Sequence, residues 1–179
     1  MTESLFRFAR RFASVVAGVA LALAASAQAA DEFKSTWAVA PDGTRLAVRE
    51  YGNPQGPAIV FVHGIAQSQL AFQKQMKSDL AKKYRLITYD LRGHGESDKP
   101  AQEAAYADGQ RMSDDVKAVL SATGASRPVL VGWSLGGIII AQYLNDHGDA
   151  GVAGVNFVGA RIAKPATQPA RMPGAAHIR

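Results

Sequence analysis

Apolar positions along this chain fall into two rhythms from residue 33 onward: short runs that are continuous or alternating, and longer stretches at helical spacing. Phe33 to Ala40 and Thr44 to Tyr51 flank Pro41-Asp42-Gly43, and an Asp-Gly pair between two such runs predicts a β-hairpin. Ala58-Ile59-Val60-Phe61-Val62 is apolar throughout, as expected of a strand covered on both faces. Ser68 to Lys82 places Leu70, Phe72, Met76 and Leu80 at helical spacing, with Ser68 as the cap. Tyr84 to Tyr89 predicts a buried strand, and the polar, Gly- and Pro-containing residues 93–109 a loop. Ser113 to Ala122 reads as a short helix with Asp114 and Asp115 as first-turn acids, and Pro128 to Val131 as a strand. Leu135 to His147 predicts a helix closed by a left-handed Gly148, with His147 favouring the carbonyl ends of its last turn. Val152 to Val158 is the last strand. A hairpin followed by alternating strands and helices defines an α/β class, with a mostly parallel sheet and helices on both faces.

Composition narrows the picture. The chain has 179 residues, 47% hydrophobic and 20% charged, within the range of one ordinary globular domain. Its formal charge of +5 contains no Lys/Arg block, so the sequence gives no support to nucleic-acid binding. The absence of cysteine excludes disulfides, thiolate metal sites and a Cys nucleophile. No cofactor or metal is implied.

Residues 1–29 read as an export signal. Arg7, Arg10 and Arg11 form a basic start, Phe12 to Ala25 is uncharged and apolar, and Ala27-Gln28-Ala29 supplies the small-x-small cleavage pattern. The apolar stretch is shorter than the ~20 residues that span a bilayer, so no stable membrane span is expected after cleavage. The alternatives are an uncleaved N-terminal anchor or an amphipathic helix of the folded domain. Cleavage would place the protein in the periplasm or outside the cell. Residues 30–164 then form the α/β domain, and residues 165–179, broken by Pro165, Pro169 and Pro173, an irregular tail.

Candidate chemistry sits at strand ends. Gly132-Trp133-Ser134-Leu135-Gly136 matches G-x-S-x-G between an apolar strand and an apolar helix, the setting of a nucleophile elbow. The turn is sharp, and glycines at 132 and 136 remove side chains that would collide across it. The reading makes Ser134 the nucleophile. A developing oxyanion needs two backbone N–H donors, one from Leu135 and one from Ile65 in the loop after the strand ending at Val62. Gly64 lets that loop turn, and His63 is expected to support it through a backbone hydrogen bond rather than act as the general base. Asp90-Leu91-Arg92-Gly93-His94-Gly95-Glu96-Ser97 reads as a rigid turn held by Asp90 and Arg92, with His94 as neither base nor ligand.

Three stretches carry a resemblance: Val62-His63-Gly64, Asp90 to Ser97, and Gly132 to Gly137. In order and interval they resemble landmarks of the α/β-hydrolase family, in the group of small esterases, cofactor-free haloperoxidases and related lipolytic enzymes. Gln67 to Phe72 is similar to the start of that group's first helix, and the likeness covers roughly residues 33–160. It implies a serine hydrolase acting on a small-molecule ester or related acyl substrate, without a cofactor. A Ser at the elbow, rather than an Asp, argues against dehalogenase or epoxide-hydrolase chemistry.

The resemblance also implies a triad acid and a histidine well beyond the nucleophile. Only 45 residues follow Ser134, and none after Asp149 is Asp or Glu. His177 lies in the Pro-containing tail, and the segment around it reads more simply as the start of a lid. The sequence is therefore expected to be C-terminally truncated relative to the family. A strand at Val152–Val158 without an outer partner should make residues 30–179 poorly soluble and marginally stable. The second reading of the chain is a catalytically inert domain, at most a binding module.

Overall fold

The structure is a computed structural model, and it describes residues 33–160 and 162. The predicted signal at 1–29 and the tail at 165–179 lie outside the described residues.

The chain opens on the expected hairpin, β1 (Lys34–Val39) and β2 (Arg45–Gly52), antiparallel from Lys34↔Glu50 to Val39↔Arg45. Its turn closes through Ala40 N–H to Thr44 O and Gly43 N–H to Ala40 O, both 2.9 Å. The Asp42 carboxylate accepts the Thr44 N–H at 3.1 Å, and Gly43 takes φ +85° where a side chain would be strained. After β3 (Ala58–Val62), a 3₁₀ turn (Gln69–Phe72) and two short helices, α1 (Gln73–Met76) and α2 (Leu80–Lys83), lead to β4 (Arg85–Tyr89). A second 3₁₀ turn (Glu103–Ala105) and α3 (Gly109–Thr123) precede β5 (Val129–Trp133), α4 (Leu135–His147) and β6 (Gly154–Val158).

The six strands form one sheet in the order β1-β2-β4-β3-β5-β6. β4, β3, β5 and β6 are parallel, and β2 joins β4 antiparallel, so the sheet is mixed with a mostly parallel centre. Side-chain alternation along the central strands divides the core into two layers. Val60, Val62, Ile87, Tyr89 and Leu130 pack with Met112, Val116 and Val119 of α3 and Ile139, Ile140 and Tyr143 of α4. Phe61 and Leu86 pack on the other face with Phe72 and Met76, flanked by Ile59, Val131 and Trp133. Helices thus cover both faces, as the pattern requires.

Three expectations are corrected. The helix expected over Ser68–Lys82 is broken into the 3₁₀ turn, α1 and α2. Ser68 does cap its start, accepting the Leu70 N–H, but Ser78 interrupts it: its hydroxyl donates to Gln75 O and accepts the Leu80 N–H, an alternative to helical backbone bonding. The helix expected from Ser113 begins at Gly109, because Asp108, in extended conformation, caps it by accepting the Arg111 N–H at 3.1 Å. Asp114 and Asp115 are therefore not first-turn acids. Asp115 is fully buried against Arg92, and Asp114 lies 3.2 Å from His147 Nε2. Gly148 closes α4 with positive φ (+73°), but its ψ of 177° is extended rather than left-handed helical.

Candidate active site

The connection from β3 to β4 runs along one face of the sheet, and that from β4 to β5 along the other. Chain order thus diverges on either side of β3, and the carboxyl ends of β3 and β5 lie side by side, paired Val62↔Gly132. In open α/β sheets a crevice forms at such a switch point, outside the strand ends. Ser134 follows β5 at this place, and His63-Gly64 follow β3.

Ser134 has φ +53° and ψ −116°, a conformation that costs a non-glycine residue on the order of 1–3 kcal/mol. Close packing imposes it. A Cβ at Gly132 would stand 2.6 Å from the Gly137 backbone, and one at Gly136 would run into the Val62 carbonyl. One at Gly137 would meet Ala160. The missing side chains at Gly132 and Gly136 let α4 start directly over the ends of β3 and β5. The Ser134 N–H donates to Val158 O at 2.9 Å, tying the turn to the end of β6. Leu135 is the first residue of α4, whose N-terminus carries partial positive charge. Ser134 itself is only partly buried.

The loop after β3 comes up against this turn. A Cβ on Gly64 would lie 3.4 Å from Ser134 Cβ and from Trp133 O, ordinary contact distance, so the loop passes directly against the turn. Ile65 is 45% exposed at the rim. His63 is fully buried with both ring nitrogens engaged: Nδ1 lies 2.7 Å from Gly64 O, and Nε2 accepts the Leu91 N–H at 3.0 Å. A carbonyl only accepts, so the proton sits on Nδ1. Burial depresses the His63 pKa, against the opposing pull of the Gly64 carbonyl, so the ring is held neutral. That arrangement leaves no free basic nitrogen on His63.

The turn Asp90–Ser97 is rigid for the reason anticipated, with more partners than sequence disclosed. The buried Asp90 carboxylate accepts N–H groups from the Gln69 backbone (2.7 Å), the Gln69 side chain (3.0 Å) and Glu96 (2.9 Å). Arg92, 1% exposed, donates to both oxygens of Asp115 at 2.6 and 2.7 Å, to Asp42 at 2.8 Å and to Ala105 O. Its guanidinium holds the Asp42 carboxyl well below the usual range. Burial pushes the Asp115 carboxyl up, with Arg92 opposing. His94 Nδ1 lies 3.0 Å from Arg92 O and its Nε2 accepts the Ala66 N–H, so it too is tied into backbone. Gln69 and Asp115 were missed as partners in sequence; the only signal was a polar residue at an otherwise apolar position of each predicted helix.

Among the described residues no histidine or carboxylate hydrogen-bonds the Ser134 hydroxyl. His147 is at the far end of α4 beside Asp114, and His177 lies outside the described residues. Among the described residues no cluster of three His, Asp or Glu is placed to hold a metal ion. No helix among them is long and apolar enough to cross a membrane.

A strained serine between a parallel strand and a helix, at the switch point of such a sheet, defines a class, and the family comparison agrees. Residues 57–176 match the family described as alpha/beta hydrolase fold, and the chain belongs to that family. It is 36% identical over 107 residues to the AB hydrolase superfamily protein YisY of Bacillus subtilis (strain 168), covering 60% of this chain and 38% of that protein. Among solved structures, it resembles a protein described as an aryl esterase from Burkholderia cenocepacia at 50% identity and TM-score 0.71, covering 74% of this chain and 49% of that one. It also resembles the esterase RhEst1 from Rhodococcus sp. ECU1013 at 45% identity and TM-score 0.66, covering 73% of this chain and 46% of the other. The chain thus spans about half the length of these esterases and less of YisY.

Proposed function

We propose that this chain carries the nucleophile and oxyanion-binding half of a serine hydrolase acting on an ester or related acyl compound. The observation that carries the reading is Ser134, strained at φ +53° on the turn into α4 and packed against Gly64. In this mechanism the Ser134 hydroxyl adds to the acyl carbonyl as its proton passes to a base. The carbonyl oxygen becomes negative between the N–H groups of Leu135 and Ile65, the leaving alkoxide takes a proton, and water then releases the acid.

His63 orients one of these donors. Gly64 C=O and Ile65 N–H belong to one planar trans peptide and point in opposite directions, so holding the carbonyl at 2.7 Å aims the N–H. Esterase chemistry is favoured over epoxide opening by the serine itself and by the esterase likenesses at 45–50% identity. The epoxide hydrolase A of Mycobacterium tuberculosis is more distant, at 31%. A base and an acid for Ser134 belong, in this reading, to the part of the longer relatives that this chain does not span. The N-terminal segment directs export to the periplasm or the medium.

The test is labelling by a fluorophosphonate together with hydrolysis of short aryl esters, comparing the chain with Ser134→Ala. Ser134-dependent labelling, with hydrolysis ~10³-fold or more over water, is the expected result, since oxyanion stabilisation alone sustains that much in triad-deficient sites. The second reading is an inert domain, in which no histidine or carboxylate reaches the Ser134 hydroxyl, as among the described residues. It predicts no difference between the two proteins.

A further inference from the structure

We infer that His94 is a positioning residue for the oxyanion donor Ile65, an inference that rests on the assignment of the Ile65 N–H proposed above. Two peptide planes meet at the Ile65 Cα. The plane before it is held by His63 through Gly64 O. The plane after it contains the Ala66 N–H, which donates to His94 Nε2 at 3.2 Å. His94 Nδ1 lies 3.0 Å from Arg92 O, and a carbonyl accepts only, so the proton is on Nδ1 and the Nε2 lone pair is free to accept. Each plane flanking Ile65 is therefore fixed by one imidazole, and the two rings meet edge to face at 5.2 Å.

The loop needs this second hold. Ala66 takes φ +56°, a left-handed conformation that a non-glycine residue keeps only when its surroundings impose it. Ile65, Ala66 and Gln67 are exposed, so packing contributes little there. The anchor behind His94 is stiff by comparison. Ser97 Oγ donates to Asp90 O at 2.5 Å and accepts the Ala47 N–H at 2.9 Å. Gly93 N–H donates to Asp98 O at 2.9 Å, and Asp98 N–H to Arg45 O at the same distance. His94 thus transfers the rigidity of a turn that contains no reacting atom to a loop that does.

The experiment uses the full chain and two variants. His94→Phe keeps a ring against His63 and removes the acceptor, whereas His94→Gln offers a side-chain oxygen to the Ala66 N–H. Amide hydrogen exchange at Ala66 and the rate of fluorophosphonate labelling at Ser134 are measured for each. In His94→Phe, Ala66 exchange is expected to rise, and labelling to slow, by about tenfold, the scale of one lost hydrogen bond. Exchange at the Ser134 amide should stay unchanged, and His94→Gln should recover most of both losses. Unchanged Ala66 exchange in His94→Phe, or equal losses in the two variants, would overturn the inference. If the unaltered chain is not labelled while Ala66 exchange responds as stated, the brace stands and the acyl-enzyme reading is what fails.

Discussion

The carboxyl ends of β3 and β5 and the outer strand β6 are built on opposite terms. At the first, backbone packs on backbone at glycines 132, 136 and 137, both nitrogens of His63 are used, and the adjoining turn is closed by buried ion pairs. At the second, Phe157 and Val158 are 40% and 44% exposed, and β6 pairs only with β5 among the described residues. Beside it an open apolar groove of about 500 Å³ runs over Phe61, Val131, Trp133 and Val158. The two regions meet along the β5–β6 ladder, from Gly132↔Phe157 to Trp133↔Val158, and the Ser134 N–H donating to Val158 O at 2.9 Å carries that contact into the turn. The contrast teaches that the geometry of the serine is set locally by the packing of β3, β5 and α4.

The contrast is broken most severely at its buried charge. Asp115→Ala leaves Arg92 desolvated and half-paired, and should cost about 3–5 kcal/mol in urea unfolding. A loss near zero would mean that the turn is not the rigid side of the comparison. Gly136→Ala drives a Cβ into the Val62 carbonyl and should cost on the order of 1–3 kcal/mol, with Ser134 labelling slowed as well. Retained stability together with unchanged labelling would show that the elbow tolerates slack.

A milder test uses pH. The folded state resists protonation of His63 and the unfolded chain does not, so stability is full above the ordinary imidazole value and falls as pH drops below ~6.5. Unfolding free energies between about pH 7 and pH 5 should decline in the parent and less steeply in His63→Gln, a window above the ordinary carboxylate range. The smallest effect is expected at β6. Val158→Lys should change stability by less than about 1 kcal/mol while raising the soluble fraction, because a charge blunts an edge strand. Aggregation that persists in this variant would clear the edge of blame.

Strand positions were legible because their apolar runs have nowhere to go but the sheet centre: Ala58–Val62 begins and ends where the pattern placed it. The sharp turn after β5 was legible too, because α4 can start over the strand ends only where positions 132 and 136 carry no side chain. Side-chain partners across long separations were not. Nothing near Asp115 in sequence announces Arg92, and nothing near Ala66 announces His94, since both contacts join segments that only the folded sheet brings together. Ser78 shows the limit of periodicity: apolar spacing continued through it, while its hydroxyl competed locally for the helix backbone.

In the proposed mechanism Ser134 faces a two-donor oxyanion site made by Ile65 and Leu135. The most direct measurement is the amide spectrum of the chain before and after phosphonylation, whose P–O oxygen occupies the oxyanion position. The expected result is an adduct on Ser134 with the Ile65 and Leu135 amide protons both shifted downfield, and no change in Ser134→Ala. An adduct on another residue, or one on Ser134 that leaves those two amides unmoved, would contradict it.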